Sequence, residues 1–293
     1  MLSRWFPPIR ITTCLCGLAL ILAACAQKPL PADPALWHII GPDESEGWLF
    51  GTIHVAPAPL HWKTAKVAAA LDRSDEVLVE LANVADDAAV AQTFASLSHS
   101  PGLPPMSERV PPQRRKALDA LLSKRGIDPV NMHDMETWAV ALTLARPQDA
   151  DDAANGVDRG VLAAAKGKPV IELEGAKGQL SIFDTLPEAE QRDLLNAVID
   201  DAGALDDEGK LVDIWRKGDM RRIEAETRTG LLADPELRTA LFIARNERWT
   251  KRITAELRAG RKPFVAVGAA HMAGEDGLVG MLARQGYTVR RIQ

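Results

Sequence analysis

The chain has 293 residues, 35 Lys and Arg against 40 Asp and Glu, and a formal net charge of −5. That acidic balance disfavours nucleic acid as a partner and leaves no polybasic patch for a membrane surface. The cysteines are Cys14, Cys16 and Cys25 alone, which excludes a disulfide framework and a cysteine metal site from everything that follows them.

In chain order, the first residues read as an export signal. Arg4 and Arg10 form a positive flank, and the apolar run from Ile11 to Leu22 is too short for a comfortable membrane span. Leu22-Ala23-Ala24-Cys25 has the form of a bacterial lipobox. It predicts a signal peptide over 1–24, cleavage before Cys25 and lipidation of Cys25. The competing reading is an ordinary signal peptide with an incidental cysteine. Residues 25–34, with Pro29, Pro31 and Pro34, form a short tether. Several acyl chains on one cysteine exceed the one-chain threshold for stable anchoring. Ala26 after the cysteine resembles the default outer-membrane sorting pattern, so the expected location is the cell envelope, lipid-anchored, on the outer membrane facing the periplasm.

The remainder, 35–293, is long enough for one large α/β domain. Leu36–Ile40 is expected to pair as a hairpin with the strand Trp48–Ile53. Further strands are expected at Glu76–Leu81, Pro169–Glu174, Pro263–Val267 and Tyr287–Ile292. Helices are expected at Thr64–Leu71, Gln113–Arg125, Met132–Ala145, Val161–Lys166, Pro187–Ala202, Leu211–Leu232 and Pro235–Ala259. Pro101–Pro112, with five prolines, reads as an irregular loop. Short β-branched runs between helices predict an α/β fold with a mostly parallel central sheet flanked by helices. A helical insertion is expected at about 85–160.

Two Gly-x-x-His steps follow expected strands: Gly51-Thr52-Ile53-His54 and Gly268-Ala269-Ala270-His271. Ligands of open α/β sheets bind beyond the carboxyl ends of the strands. His54, Glu80, Glu174 and His271 all fall at or just past such ends. Imidazole and carboxylate together suit Zn²⁺, Mn²⁺ or Co²⁺, and such an ion activates water for peptide or ester hydrolysis. One carboxylate is alternatively the general base, and the sequence does not divide those roles. Each residue also has a structural reading: a hydrogen-bonded loop histidine, an arginine-paired Glu80, or Glu172 and Glu174 on a solvated sheet face. No His-Glu-x-x-His signature is present. Arg245 and Asn246, on a long helix, are candidates to reach the same rim, where a guanidinium would stabilise an oxyanion. Glu247 reads as a solvated helix residue. His61 is a minor candidate to line the site. His38, His99 and His133 rank lower. Trp62, Trp138, Trp215 and Trp249 read as core.

These residues carry a resemblance. Leu49 to His54, Val77 to Leu81, Gly156-Val157-Asp158, Lys168 to Glu174, Arg245-Asn246, Trp249, Phe264 to His271 and Gly286-Tyr287 together resemble the TraB/GumN family. That family includes the animal Tiki proteins and is related to the erythromycin-esterase and haem-binding ChaN lipoprotein superfamily. The resemblance implies a metal-dependent protease using Mn²⁺ or Co²⁺. It assigns the metal to His54, His271 and Glu80, with Glu174, Arg245 and Asn246 as further site residues. The implied partner is a peptide or protein substrate, with the membrane contacted through the lipid. The competing expectation is a haem- or metal-binding lipoprotein without catalysis.

Overall fold

A computed structural model describes residues 28–82, 87–146, 150–165, 167–202 and 208–293. The expected signal peptide and the lipidation residue Cys25 lie outside the described residues. The strands are β1 (Leu30–Pro31), β2 (Leu36–Ile40), β3 (Glu46–Thr52), β4 (Leu60–His61), β5 (Glu76–Val79), β6 (Val170–Glu172), β7 (Pro263–Gly268) and β8 (Thr288–Arg291). β1 and β4 form a small parallel pair, and the other strands form a six-stranded sheet in the order β6-β5-β7-β3-β2-β8. β6, β5, β7 and β3 run parallel, whereas β2 is antiparallel to both of its neighbours. The fold is therefore α/β with a mostly parallel sheet, and the expected hairpin is β2–β3.

β5 is buried throughout and β7 nearly so. Such continuous burial is what parallel strands covered on both faces require. Side chains still alternate between the two faces. Trp48, Phe50, Phe264 and Ala266 join one core with Val67, Leu71, Val161 and Trp215. Leu49, Val265 and Val267 join the opposite core with Trp249, Ile253, Leu257 and Leu282.

The helices follow in chain order. α1 (Ala65–Arg73) precedes β5. α2 (Asp87–Leu97), α3 (Arg115–Arg125), α4 (Thr137–Ala145), α5 (Ala150–Ala154) and α6 (Val157–Ala164) lie between β5 and β6. α7 (Gly175–Asp184), α8 (Glu188–Asp200), α9 (Glu208–Arg216), α10 (Met220–Glu226), α11 (Pro235–Arg238) and α12 (Ala244–Arg258) lead to β7, and α13 (Leu278–Arg284) precedes β8. A third core packs α3, α4, α8 and α11 together. This helical body combines segments from before and after β6. No helix of the described residues is long and apolar enough to cross a membrane.

Three expected helices differ in detail. Leu211–Leu232 is broken into α9 and α10, because Gly218 takes φ +61 and Asp219 caps the new start by accepting the Arg222 N–H. Met132–Ala145 starts as a helix only at Thr137, after a short 3-10 turn at Pro129–Met132. Pro235–Ala259 contains a π turn at Thr239–Ile243, a widening often found beside functional residues. Arg245 lies two residues past its end.

Candidate active site

Strand register brings the two Gly-x-x-His steps together. Gly51 pairs with Val267 and Thr52 with Gly268, so both motifs leave the sheet at one level. Val79 pairs with Ala266 and with Glu172, which places Glu80 and Glu174 at the same carboxyl edge. Leu173 donates its N–H to Val79 O at 2.8 Å, and Glu174 and Gly175 donate theirs to Glu80 O at 3.3 and 3.2 Å.

Arg245 stands at the centre of this edge. Its Nη2 donates to Glu80 Oε2 and to Glu174 Oε2, each at 2.8 Å. Its Nε donates to both Glu174 oxygens, at 3.0 and 3.1 Å. Its Nη1 donates to Leu241 O, inside the π turn, and to His271 Nε2, each at 3.3 Å. The guanidinium also covers the Trp249 ring, 4.7 Å from its centroid. Glu80 and Glu174 side chains are only 8% and 5% exposed. Buried carboxyl groups need this compensation. Glu174 is further reached by Arg248 Nη2 at 3.3 Å.

His271 is buried, stacked near Phe242 and tilted against Trp249. Asn246 Nδ2 donates to Asp276 O at 2.7 Å, which turns Asn246 Oδ1 toward His271 Nδ1, also at 2.7 Å. An amide oxygen only accepts, so Nδ1 carries the proton and Nε2 keeps the lone pair. Burial pushes the His271 pKa down to about 3, so the ring is neutral. Burial pushes Glu80 the other way, but the positive charges beside it, His271 once protonated at low pH, His54 and Arg245, together with the Gly268 N–H, outweigh it and hold its pKa down to about 2. That N–H donates to Glu80 Oε1 at 2.7 Å.

His54 enters from the opposite side. Its Nδ1 bonds Asp158 Oδ2 at 2.8 Å, and Thr52 Oγ1 donates to the other Asp158 oxygen. Asp158 lies in the first turn of α6, where its charge suits the helix dipole. The Asp158 charge raises the His54 pKa to about 9. The ring is 67% exposed, and solvent there screens the pair. Gly156 permits this approach: a Cβ there would fall 2.3 Å from His54 O. Val157 N–H donating to Ile53 O at 2.8 Å completes the seam.

Gly268 is the floor of the site. A Cβ there would lie 3.3 Å from Glu80 Oε1, 3.7 Å from His271 Cδ2 and 3.8 Å from His54 Nε2. The two imidazoles and one carboxylate thus converge on the space that a side chain at 268 would fill. His54, Glu80 and Asp158 also open into a cavity of about 520 Å³.

The structure brings His54, Glu80, Glu174, Arg245 and His271 together. Asn246 stands behind His271 and bonds it from the buried side. Glu172 points away from this group and accepts from Ala82 N–H at 2.8 Å. His61 is exposed on β4 and does not line the cavity. His38 bonds Glu46 at 2.9 Å. Asp158 and Thr52 were absent from the sequence-derived candidates. Asp158 sits in the quoted Gly156-Val157-Asp158 block, its only sequence signal.

The donor set suits a divalent ion in three respects. Both histidines are held through Nδ1 by an oxygen, the usual support of a metal-ligating imidazole. His54 Nε2 and the Cδ2 edge of His271 lie beside the Gly268 cradle. Two buried carboxylates, Glu80 and Glu174, lie on the Arg245 guanidinium, and a third, Asp158, is on His54. Among the described residues no three His, Cys, Asp or Glu side chains already form a ligand group. Arg245 lies among these side chains, bonded to Glu80, Glu174 and His271 Nε2.

No solved structure matches this chain. The Shigella flexneri protein YbaP is 28% identical over 259 residues, covering 82% of this chain and 89% of the relative. YbaP of Escherichia coli strain K12 is 28% identical over 252 residues, covering 80% and 86%. Residues 35–291 match the model of the TraB/PrgY/gumN family, and the chain belongs to that family.

Proposed function

We propose that this cleft is the centre of a metal-dependent hydrolase acting on a peptide or protein substrate. The observation that carries the reading is the convergence of His54 Nε2, His271 and Glu80 Oε1 over Gly268. His54, His271 and Glu80 would hold Mn²⁺, Co²⁺ or Zn²⁺, with Arg245 releasing the His271 lone pair. Such an ion supplies a water of lowered pKa and polarises a carbonyl.

The chain's own groups have separable tasks. Asp158 orients His54, and Asn246 orients His271 and fixes its tautomer. Glu80 would be a ligand of the ion or, left free of it, the base that receives the proton of the attacking water. Arg245 presents a permanent positive charge to the oxyanion that forms as water adds to the carbonyl. Glu174, bonded through both oxygens, positions Arg245. As the tetrahedral species collapses, the C–N bond breaks and the proton taken from the water passes to the leaving amine.

We further propose that Cys25 is lipidated and tethers this domain to the envelope, in the outer membrane facing the periplasm. Labelled palmitate should enter the wild type and not Cys25→Ser.

The test of the hydrolase reading is a metal titration of the purified chain with a peptide library. Activity should appear with Mn²⁺, Co²⁺ or Zn²⁺, vanish with chelator, and be absent from His54→Ala and His271→Ala. Unchanged metal content and unchanged activity in both variants would overturn it.

A further inference from the structure

The cavity that opens from His54, Glu80 and Asp158 is walled mainly by apolar side chains of other elements. Val90 and Phe94 come from α2, Leu142 from α4, Leu162 from α6 and Leu180 from α7. All of these are only partly buried. At about 520 Å³ the space falls in the range of pockets that enclose a small ligand or a few residues of a chain. Its acidic and imidazole groups are His54, Glu80 and Asp158, and Thr143, Arg146, Arg159 and Gln179 are the other polar residues of the lining.

We infer that this cavity is the specificity pocket of the same site, and that it takes a bulky apolar side chain, branched or aromatic, beside the carbonyl that reaches His54 and Glu80. This rests on the hydrolytic reading of the cleft and adds the substrate class to it. The occupant follows from two features. The cavity is continuous with the charged edge, so a group seated there stays connected to the reacting carbonyl. Most of its remaining lining is Leu, Val, Ala and Phe, which rewards removal of apolar surface from water. Thr143 is one polar group among these walls, and its Oγ1 is already committed to Ala139 O at 2.8 Å.

Phe94 is braced from behind. Its ring meets Trp138 edge-on at 5.5 Å, and Trp138 is fully buried. The wall on which an incoming side chain would pack is therefore anchored to the helical core.

The test measures binding as well as turnover, so that the two readings fail separately. The probes are N-acetyl peptide amides identical except at one residue, Leu, Phe, Ser or Gly, titrated against the full chain by calorimetry. The Leu and Phe peptides should bind about tenfold or more tightly than the Ser and Gly peptides. Leu142→Arg and Val90→Asp should each erase that preference. Because Leu142 also touches the core, thermal unfolding accompanies each variant, and Val90 on α2 provides the independent one. Selective binding without turnover would leave the pocket assignment standing and remove the hydrolase. Turnover with no apolar preference, a preference that survives both variants, or no binding of any of the peptides would overturn the pocket assignment. A Soret band on haem titration that the Leu peptide cannot displace would also overturn it.

Discussion

Asn246 Oδ1 accepts a hydrogen bond from His271 Nδ1 at 2.7 Å, and the Asn246 amide is itself oriented by its bond to Asp276 O. One carbonyl on the α13 side of the sheet thereby decides which nitrogen of His271 faces the cleft. Asn246→Asp should place an anion at that position and raise the His271 pKa well above its wild-type value. NMR titration of the His271 ring reads this directly. Activity should fall, because the more basic ring holds a proton on Nε2. An unmoved titration would show that Asn246 has no hold on the ring.

The buried ring also ties stability to pH. Burial holds the folded pKa of His271 near 3, against an ordinary value of 6.5. Below about 6.5 the unfolded chain binds a proton that the folded chain refuses, so stability falls as pH drops from there toward 3. Glu80, held at about 2 against 4.5, adds a second loss from about 4.5 downward. Between pH 6.5 and 5 the His271 contribution is up to about 2 kcal/mol. His271→Gln, which has nothing to titrate, should lose less stability than wild type between pH 7 and 5. Urea unfolding at the two pH values makes the comparison.

His54 runs in the opposite direction. Asp158 raises its pKa, and the ring must shed its proton before Nε2 can bind a metal or accept a proton. Activity should therefore rise with pH through the His54 titration. Asp158→Asn should bring the His54 pKa down toward 6.5 and shift the acid limb of the rate profile with it, while lowering the maximum. A profile that stays in place would detach Asp158 from the mechanism.

Arg245 holds two buried carboxyl groups, and its loss leaves Glu80 with the Gly268 N–H and Glu174 with the exposed Arg248. Arg245→Gln should cost roughly 3–5 kcal/mol of stability, the usual result of breaking a buried ion pair from one side. Adding Glu80→Gln and Glu174→Gln should restore part of it. Denaturant midpoints of the single and triple variants test this. A triple variant less stable than the single one would contradict it.

Gly268 has φ −46 and ψ 133, a conformation open to any residue, so alanine meets no backbone strain there. Its methyl group instead enters the cradle, 3.3 Å from Glu80 Oε1. Gly268→Ala should cost on the order of 1 kcal/mol in stability and about tenfold or more in rate, through misplaced reacting groups. Thermal unfolding and turnover should thus separate. Equal activity in the variant would show that the space over Gly268 is not used.

The sequence alone determined the sheet, its mostly parallel character and the position of His54, Glu80, Glu174 and His271 at strand ends. Apolar runs, glycines and helical spacing are local signals, and burial on both faces of the parallel strands makes them strong. Only the tertiary structure decided the rest. Asp158 reaches His54 across 104 residues, and Arg245 reaches Glu80 across 165. Neither pairing leaves a periodic trace, because each depends on how one helix sits against one strand end. The break at Gly218 and the π turn before Arg245 were hidden for a related reason. Helical spacing persists across both, and the change in direction or pitch is settled by capping and packing.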